Sequence, residues 1–185
     1  VLGLRVIFRV LASSGMADLA YDMITRTDPP SYGFIVDGLS ACSMIEFLQK
    51  ETTGDTTSFN HHFMGDVSGS FISHIAGLCV NPQLDDPCNV LVRPSFVKKL
   101  TRASAYYRTP KGKISVSWER AGGNTILFRT ERESGVKASI VLPAGHVFED
   151  TGLTSKSLPK AGGTDLSVIT VFRKKGVSLP GTSVF

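Results

Sequence analysis

No apolar run in this sequence approaches the roughly 20 residues that a membrane-spanning helix needs, so no membrane span is expected. Cysteine is scarce. Cys42, Cys79 and Cys88 are odd in number and stand at neither metal-ligand nor disulfide-framework spacing. Buried free thiols are the expectation, and they leave the compartment open between periplasmic or secreted and cytoplasmic. Cys42 has no base placed beside it, which argues against a nucleophile. Metal-ligand clusters are missing as well. His61-His62 is the one histidine pair, but neighbours on a helix point about 100° apart, and no carboxylate stands at a ligand spacing. No metal or other cofactor is therefore expected. Nucleic-acid motifs are also lacking. The net charge of +4 and the pI near 9.1 come from scattered pairs such as Lys98-Lys99 and Lys174-Lys175. A solvated surface is expected, and no nucleic-acid partner.

What is present fits a folded protein. The 185 residues are 42% hydrophobic and 19% charged, enough for one domain or two small ones with a real core. The opening VLGLRVIFRVL has the look of a signal peptide, but Arg5 and Arg9 interrupt it and no small-residue cleavage site follows cleanly. An amphipathic helix is expected instead, with Leu2, Leu4, Val6, Ile7, Val10 and Leu11 as its stripe and Gly15 as its C-terminal stop. A second helix carries Leu19, Ala20, Met23 and Ile24 on one face, and Asp28-Pro29-Pro30 stops it. Two helices around a glycine turn make a hairpin. A third helix is expected from Asn60 to Ala76, with Phe63, Val67, Phe71, Ile72 and Ile75 apolar and Gly77 as its cap.

Composition then changes. Residues 81–88, rich in proline and acid, read as a linker between a helical part at 1–80 and a second domain at 89–185. Beyond the linker the period drops to two. Ile114, Val116 and Trp118 alternate with Ser115, Ser117 and Glu119 before a turn at Ala121-Gly122-Gly123-Asn124. Ile126 and Phe128 alternate with Leu127 and Arg129 before a turn at Glu133-Ser134-Gly135. Val136, Ala138, Ile140 and Leu142 continue the pattern. Leu166 to Arg173 reads as a further strand after a long loop. Short alternating strands with frequent turns indicate an antiparallel β-sandwich, and Trp118 falls on its core side.

The richest chemistry lies between Pro30 and Gly65. Glu46 is a lone carboxylate within Met44-Ile45-Glu46-Phe47-Leu48, where large apolar neighbours limit solvation and make a stronger base. Ser58-Phe59-Asn60-His61 supplies donors and acceptors suited to a small polar ligand. Each residue also has a plainer reading. Glu46 on its spacing alone reads as a surface acid at a helix edge, and His61 as a helix-end residue bonded to backbone. Asp37 reads equally as a partner of Glu46 or as a helix cap. Tyr32, Phe34 and Phe59 read as sugar-stacking rings or as core.

The order of these groups resembles the end of the catalytic domain of bacterial α-L-rhamnosidases, inverting (α/α)6-barrel glycoside hydrolases. The matching residues are Pro30-Ser31-Tyr32-Gly33-Phe34, Ile35-Val36-Asp37, Ala41-Cys42-Ser43-Met44-Ile45-Glu46 and Ser58-Phe59-Asn60-His61. Asp18-Leu19-Ala20-Tyr21 upstream and Gly112 to Trp118 and Val141-Leu142-Pro143 downstream extend the likeness to about Val171. The resemblance implies helices from the end of an (α/α)6 barrel followed by an antiparallel β-sandwich. It also implies Glu46 as the general base that activates water, and His61 with Asn60, Tyr32 and Phe34 at the sugar. The substrate implied is a rhamnose-containing glycoside or polysaccharide, with the general acid contributed by upstream barrel residues of the same polypeptide. On this reading the chain is the C-terminal part of a longer protein, inactive alone. Two features depart from the family pattern: Ile45 replaces a tryptophan, and the loop from Glu46 to His61 is short. The reading from a different class is a non-catalytic carbohydrate-binding or structural sandwich module.

Overall fold

A computed structural model describes residues 3–39, 43–46, 58–80, 86, 88–158 and 163–173. The chain forms two compact units, Val1–Ser70 and Phe71–Phe185. Leu2, Cys42, Phe47, Leu48 and most of the proposed linker at 81–88 lie outside the described residues.

In the first unit, α1 (Leu4–Ser13) and α2 (Ala17–Thr25) form the expected hairpin. Gly15 takes a φ of 81°, and Met16 N–H and Gly15 N–H donate to the carbonyls of Leu11 and Ala12. That pair of bonds closes α1 at a residue whose conformation disfavours a side chain. The buried face of α1 differs from the stripe read off the sequence. Phe8 is buried, while Val6 and Val10 are more than half exposed. Phe8 has a partner within the unit, the ring of Tyr32 at 6.0 Å in an edge-to-face contact, so the largest apolar side chain of the helix sets its inward face. On α2, Ala20 and Ile24 are buried as expected, but Leu19 is exposed.

After α2, Arg26 turns to an extended ψ of 150° ahead of Pro29-Pro30. Ser31 restarts the helical backbone: its hydroxyl donates to the Arg26 carbonyl at 2.6 Å and accepts from Phe34 N–H at 3.0 Å. Gly33 lies so close to the end of α2 that a Cβ would stand 2.4 Å from the Arg26 carbonyl oxygen. No residue with a side chain fits there without displacing backbone. A single wide π-type turn, Phe34–Gly38, follows and buries Ile35 completely.

The segment expected as one helix from Asn60 to Ala76 is helical but broken into three kinds of turn. A 3₁₀ turn (His62–Gly65) leads into α3 (Asp66–Ser70), which gives way to a π-type turn (Phe71–Ala76). Met64, Val67 and Ile75 are buried, but Ile72 is exposed, because the change of pitch rotates it off the stripe. Arg9 and Asp66 form a two-pronged ion pair at 2.5 and 3.1 Å that ties α1 to α3. The boundary between the units falls where α3 becomes the wide turn.

The second unit is a sandwich of two sheets. One has the order β1-β2-β6-β8, from β1 (Leu78–Cys79), β2 (Asn89–Val92), β6 (Lys137–Val141) and β8 (Ser155–Leu158). The other has the order β3-β4-β5-β9-β7, from β3 (Arg102–Thr109), β4 (Gly112–Gly122), β5 (Thr125–Arg132), β9 (Asp165–Arg173) and β7 (His146–Phe148). All pairings are antiparallel except β2 with β6, which run parallel. Ile114, Val116, Trp118, Ile126, Phe128, Ile169 and Val171 point into the core as the two-residue period requires. The Trp118 indole N–H donates to the Ile75 carbonyl at 2.9 Å, so its polar atom is satisfied inside. β8 lies within the stretch expected to be loop, because Ser155-Lys156-Ser157 carries no apolar alternation and gains its order from pairing with β6. Cys88 is buried; Cys79 is half-buried, and its thiol donates to the Ser73 carbonyl.

Candidate active site

Glu46 sits on a non-helical segment bonded to Ser58–His61, in place of a helix edge. Glu46 N–H donates to the Ser58 carbonyl at 2.9 Å, and His61 N–H donates to the Met44 carbonyl at 2.7 Å. The Ser43 hydroxyl adds a short bond to the Phe59 carbonyl. These links bring together two segments separated by a dozen residues, with buried Ile45 as the apolar anchor beneath. They also fix the carboxylate itself. Ser58 N–H donates to Glu46 Oε2 at 3.1 Å, which leaves Oε1 as the oxygen facing His61.

His61 Nε2 stands 4.0 Å from that Oε1. The distance is too long for a hydrogen bond and short enough for one small polar atom to touch both groups. The two side chains are 20% and 25% exposed, so the site is accessible but shielded. The other ring nitrogen, Nδ1, is buried without a hydrogen-bond partner among the described residues. Ring packing holds the imidazole. His62 lies parallel to it at 5.5 Å with an interplanar angle of 1°, and Phe63 meets it edge-on at 5.2 Å. The two histidines do not diverge as helical neighbours would, because His61 has an extended backbone just before the 3₁₀ turn.

The other residues expected at the site are placed as follows. Asn60 is exposed, with its backbone N–H on the Ser58 hydroxyl at 3.3 Å. Tyr32 is buried against Phe8, and burial, with the Asp66 charge adding, pushes its phenol up to about 12. Phe34 is half-buried, its ring lying where a Cβ on Gly38 would stand. Asp37 is exposed on the π-type turn. Sequence reasoning passed over Ser58 as an active member: its backbone N–H, a group present at every residue but proline, orients the carboxylate. Phe63 was read as apolar stripe but also walls the imidazole. The alternation of aromatic and imidazole rings in His61-His62-Phe63 was the available signal. No helix among the described residues is long and apolar enough to cross a membrane.

Comparison with known proteins relates the chain to one family. Residues 1–75 match the bacterial alpha-L-rhamnosidase six-hairpin glycosidase domain, and residues 88–154 match the bacterial alpha-L-rhamnosidase C-terminal domain. An alpha-L-rhamnosidase of Formosa agariphila is 27% identical over 169 residues, 86% of this chain and 18% of the relative. The chain thus spans less than a fifth of that curated relative's length. The structure resembles the native alpha-L-rhamnosidase of Aspergillus terreus with a TM-score of 0.69 at 24% identity, covering 95% of this chain and 19% of that one. It also resembles the Streptomyces avermitilis alpha-L-rhamnosidase solved with L-rhamnose, with a TM-score of 0.66 at 23% identity, covering 94% and 17%.

Proposed function

Because this chain belongs to the bacterial α-L-rhamnosidases, we propose that it works within a longer polypeptide that hydrolyses terminal α-L-rhamnosyl linkages with inversion. Glu46 is the general base. Inversion requires a second carboxyl group roughly 6.5–9.5 Å from the base, protonating the leaving oxygen while the base takes a proton from water on the opposite face. That acid lies on upstream barrel residues of the same polypeptide. His61 and Asn60 hold the sugar hydroxyls. Phe34, half-buried, and Tyr32, buried against Phe8, are the aromatic residues assigned to the sugar. The substrate is a rhamnose-containing glycoside or polysaccharide. Residues 81–88 follow the first matched family domain and lead into the second, and are the proposed linker; β1 at Leu78–Cys79 precedes them and already belongs to the sandwich.

The observation that carries this reading is the fixed carboxylate. One Glu46 oxygen is held by Ser58 N–H while the other faces an imidazole 4.0 Å away. A base serves well when its orientation is set before water arrives. The test compares two proteins on an aryl α-L-rhamnoside. The intact polypeptide carrying this chain turns it over, whereas the isolated 185-residue chain shows none, because loss of acid catalysis alone removes about 10²–10⁴-fold. Turnover by the isolated chain, with contaminants excluded, would show that the base works without the proposed partner and would overturn the assignment.

A further inference from the structure

Outward-facing positions on an exposed antiparallel sheet usually carry long polar side chains. On the five-stranded sheet here, the middle of the outer face is instead hollow. Two ladder columns cross it. Ser104, Ser117 and Arg129 lie side by side on β3, β4 and β5, and so do Tyr106, Ser115 and Glu131. The three serines are short, so the taller residues around them enclose a depression of about 790 Å³, within the range of ligand pockets. Leu166 on β9 continues the second column beyond Glu131 and forms the far bank. Four strands at roughly 4.8 Å spacing make a trough about 14 Å long, suited to a short chain of rings more than to a single one.

The chemistry of the trough is specific. Tyr106 is 70% exposed, an apolar ring face presented to solvent at one bank. Lys113 Nζ lies 5.0 Å from its centroid, steadying the ring. Ser115 donates to Glu131 Oε2 at 3.3 Å, which keeps the carboxylate turned toward the floor. Arg129 is loosely paired with Glu119 at 3.7 Å, an exposed contact of little strength that a ligand can displace. The lining combines serine hydroxyls, a guanidinium and a carboxylate with the apolar groups of Ile72, Ala105, Val116 and Leu166. Such a set reads hydroxyl groups, with donors and acceptors alternating across a hand's width of atoms and a ring alongside for the C–H face of a sugar.

The geometry points to a saccharide-binding groove on the outer face of the five-stranded sheet that holds a rhamnose-bearing oligosaccharide by Tyr106, Ser117, Arg129 and Glu131, none of them a residue assigned to the Glu46 site. Only the choice of sugar rests on the rhamnosidase reading. The groove gives the polypeptide a second hold on a polymeric substrate, raising the local concentration of chain ends at the catalytic site.

The test is calorimetric titration of the intact polypeptide, carrying Glu46→Gln so that the probe survives, with rhamnogalacturonan oligosaccharides. Polygalacturonate of matched charge is the control, and salt is high enough to screen the protein's net positive charge. Binding of the first and not the second is expected, weakened about tenfold by Tyr106→Ala and by Ser117→Leu, which fills the hollow. Unchanged circular dichroism and thermal midpoint verify that both variants are folded. Equal binding of polygalacturonate, no binding, or variants that bind like the parent would overturn the groove. So would a shift in sedimentation with Tyr106→Ala, which would mark the face as a contact between copies. Rhamnoside turnover without oligosaccharide binding at the groove removes only the groove; binding without turnover by the parent enzyme removes only the proposed hydrolysis.

Discussion

Replacing Glu46 with Gln in the intact polypeptide lowers kcat by at least about 10²-fold and leaves KM nearly unchanged. The two side chains have the same shape, so the Ser58 N–H bond to the retained side-chain oxygen persists and the local pairing of Met44–Glu46 with Ser58–His61 is kept. Only the proton acceptor is lost, and a general base acts on water in the transition state alone. His61→Ala behaves differently. It removes a ring held between His62 and Phe63 and assigned to the sugar, so substrate binding weakens together with kcat. Steady-state kinetics on an aryl rhamnoside separates the two patterns. A Glu46→Gln enzyme with near-normal kcat would make Glu46 a structural residue.

The largest stability effect is expected in the sandwich, at Arg132. Its guanidinium is buried at the end of β5, donating to the carbonyls of Val136 and Leu158 at 3.2 and 3.1 Å and pairing with Asp165. It bonds three segments of chain from inside. Arg132→Ala leaves two carbonyls without their donor and a carboxylate without its cation, at a cost of about 3–5 kcal/mol. Asp165→Asn costs less, about 1–3 kcal/mol, because it leaves the buried guanidinium without a counter-charge but keeps both carbonyl bonds and an amide oxygen that still accepts. Trp118 is the sole tryptophan of these 185 residues and lies in the core of the same unit, so its fluorescence during urea unfolding of the 185-residue chain reads both variants. Equal midpoints for the two would mean that the carbonyl bonds contribute little.

The sandwich was legible wherever apolar and polar residues alternate, as in Ile114 to Trp118 and Val136 to Leu142. It was illegible where strands earn their place by pairing. β3 has alanine, serine and two tyrosines in its middle, and β8 is mostly serine and lysine; neither has a stripe to read. The parallel contact of β2 with β6 leaves no trace in local sequence, because it joins residues nearly fifty positions apart. Helices were legible by extent but less so by face. In α1 both sides are apolar, so the spacing allowed Val6 and Val10 inward, and only the meeting of Phe8 with Tyr32 decides the orientation.

At the candidate site the residue types were legible and the backbone was not. Glu46 stood out as a carboxylate in an apolar run, and His61 as the imidazole of a polar one. That they face each other depends on two non-helical segments bonding to one another, which no periodicity announces. The Pro30 to Phe34 motif shows the opposite case. Ser31 and Gly33 are fixed by backbone demands, a hydroxyl bridge and a close approach to the end of α2. Part of what resembles a substrate-binding signature is thus the fold's own requirement.

The most direct measurement of the central claim is rescue of the Glu46→Ala enzyme by azide. Removing the base opens the face from which water attacks, and a small anion that needs no deprotonation takes its place. Activity on an activated aryl α-L-rhamnoside should rise with azide concentration, and proton NMR of the product should show the β-glycosyl azide that inversion demands. An α-glycosyl azide, or activity in Glu46→Ala that equals the parent without azide, would contradict the assignment of Glu46 as the base of an inverting hydrolysis.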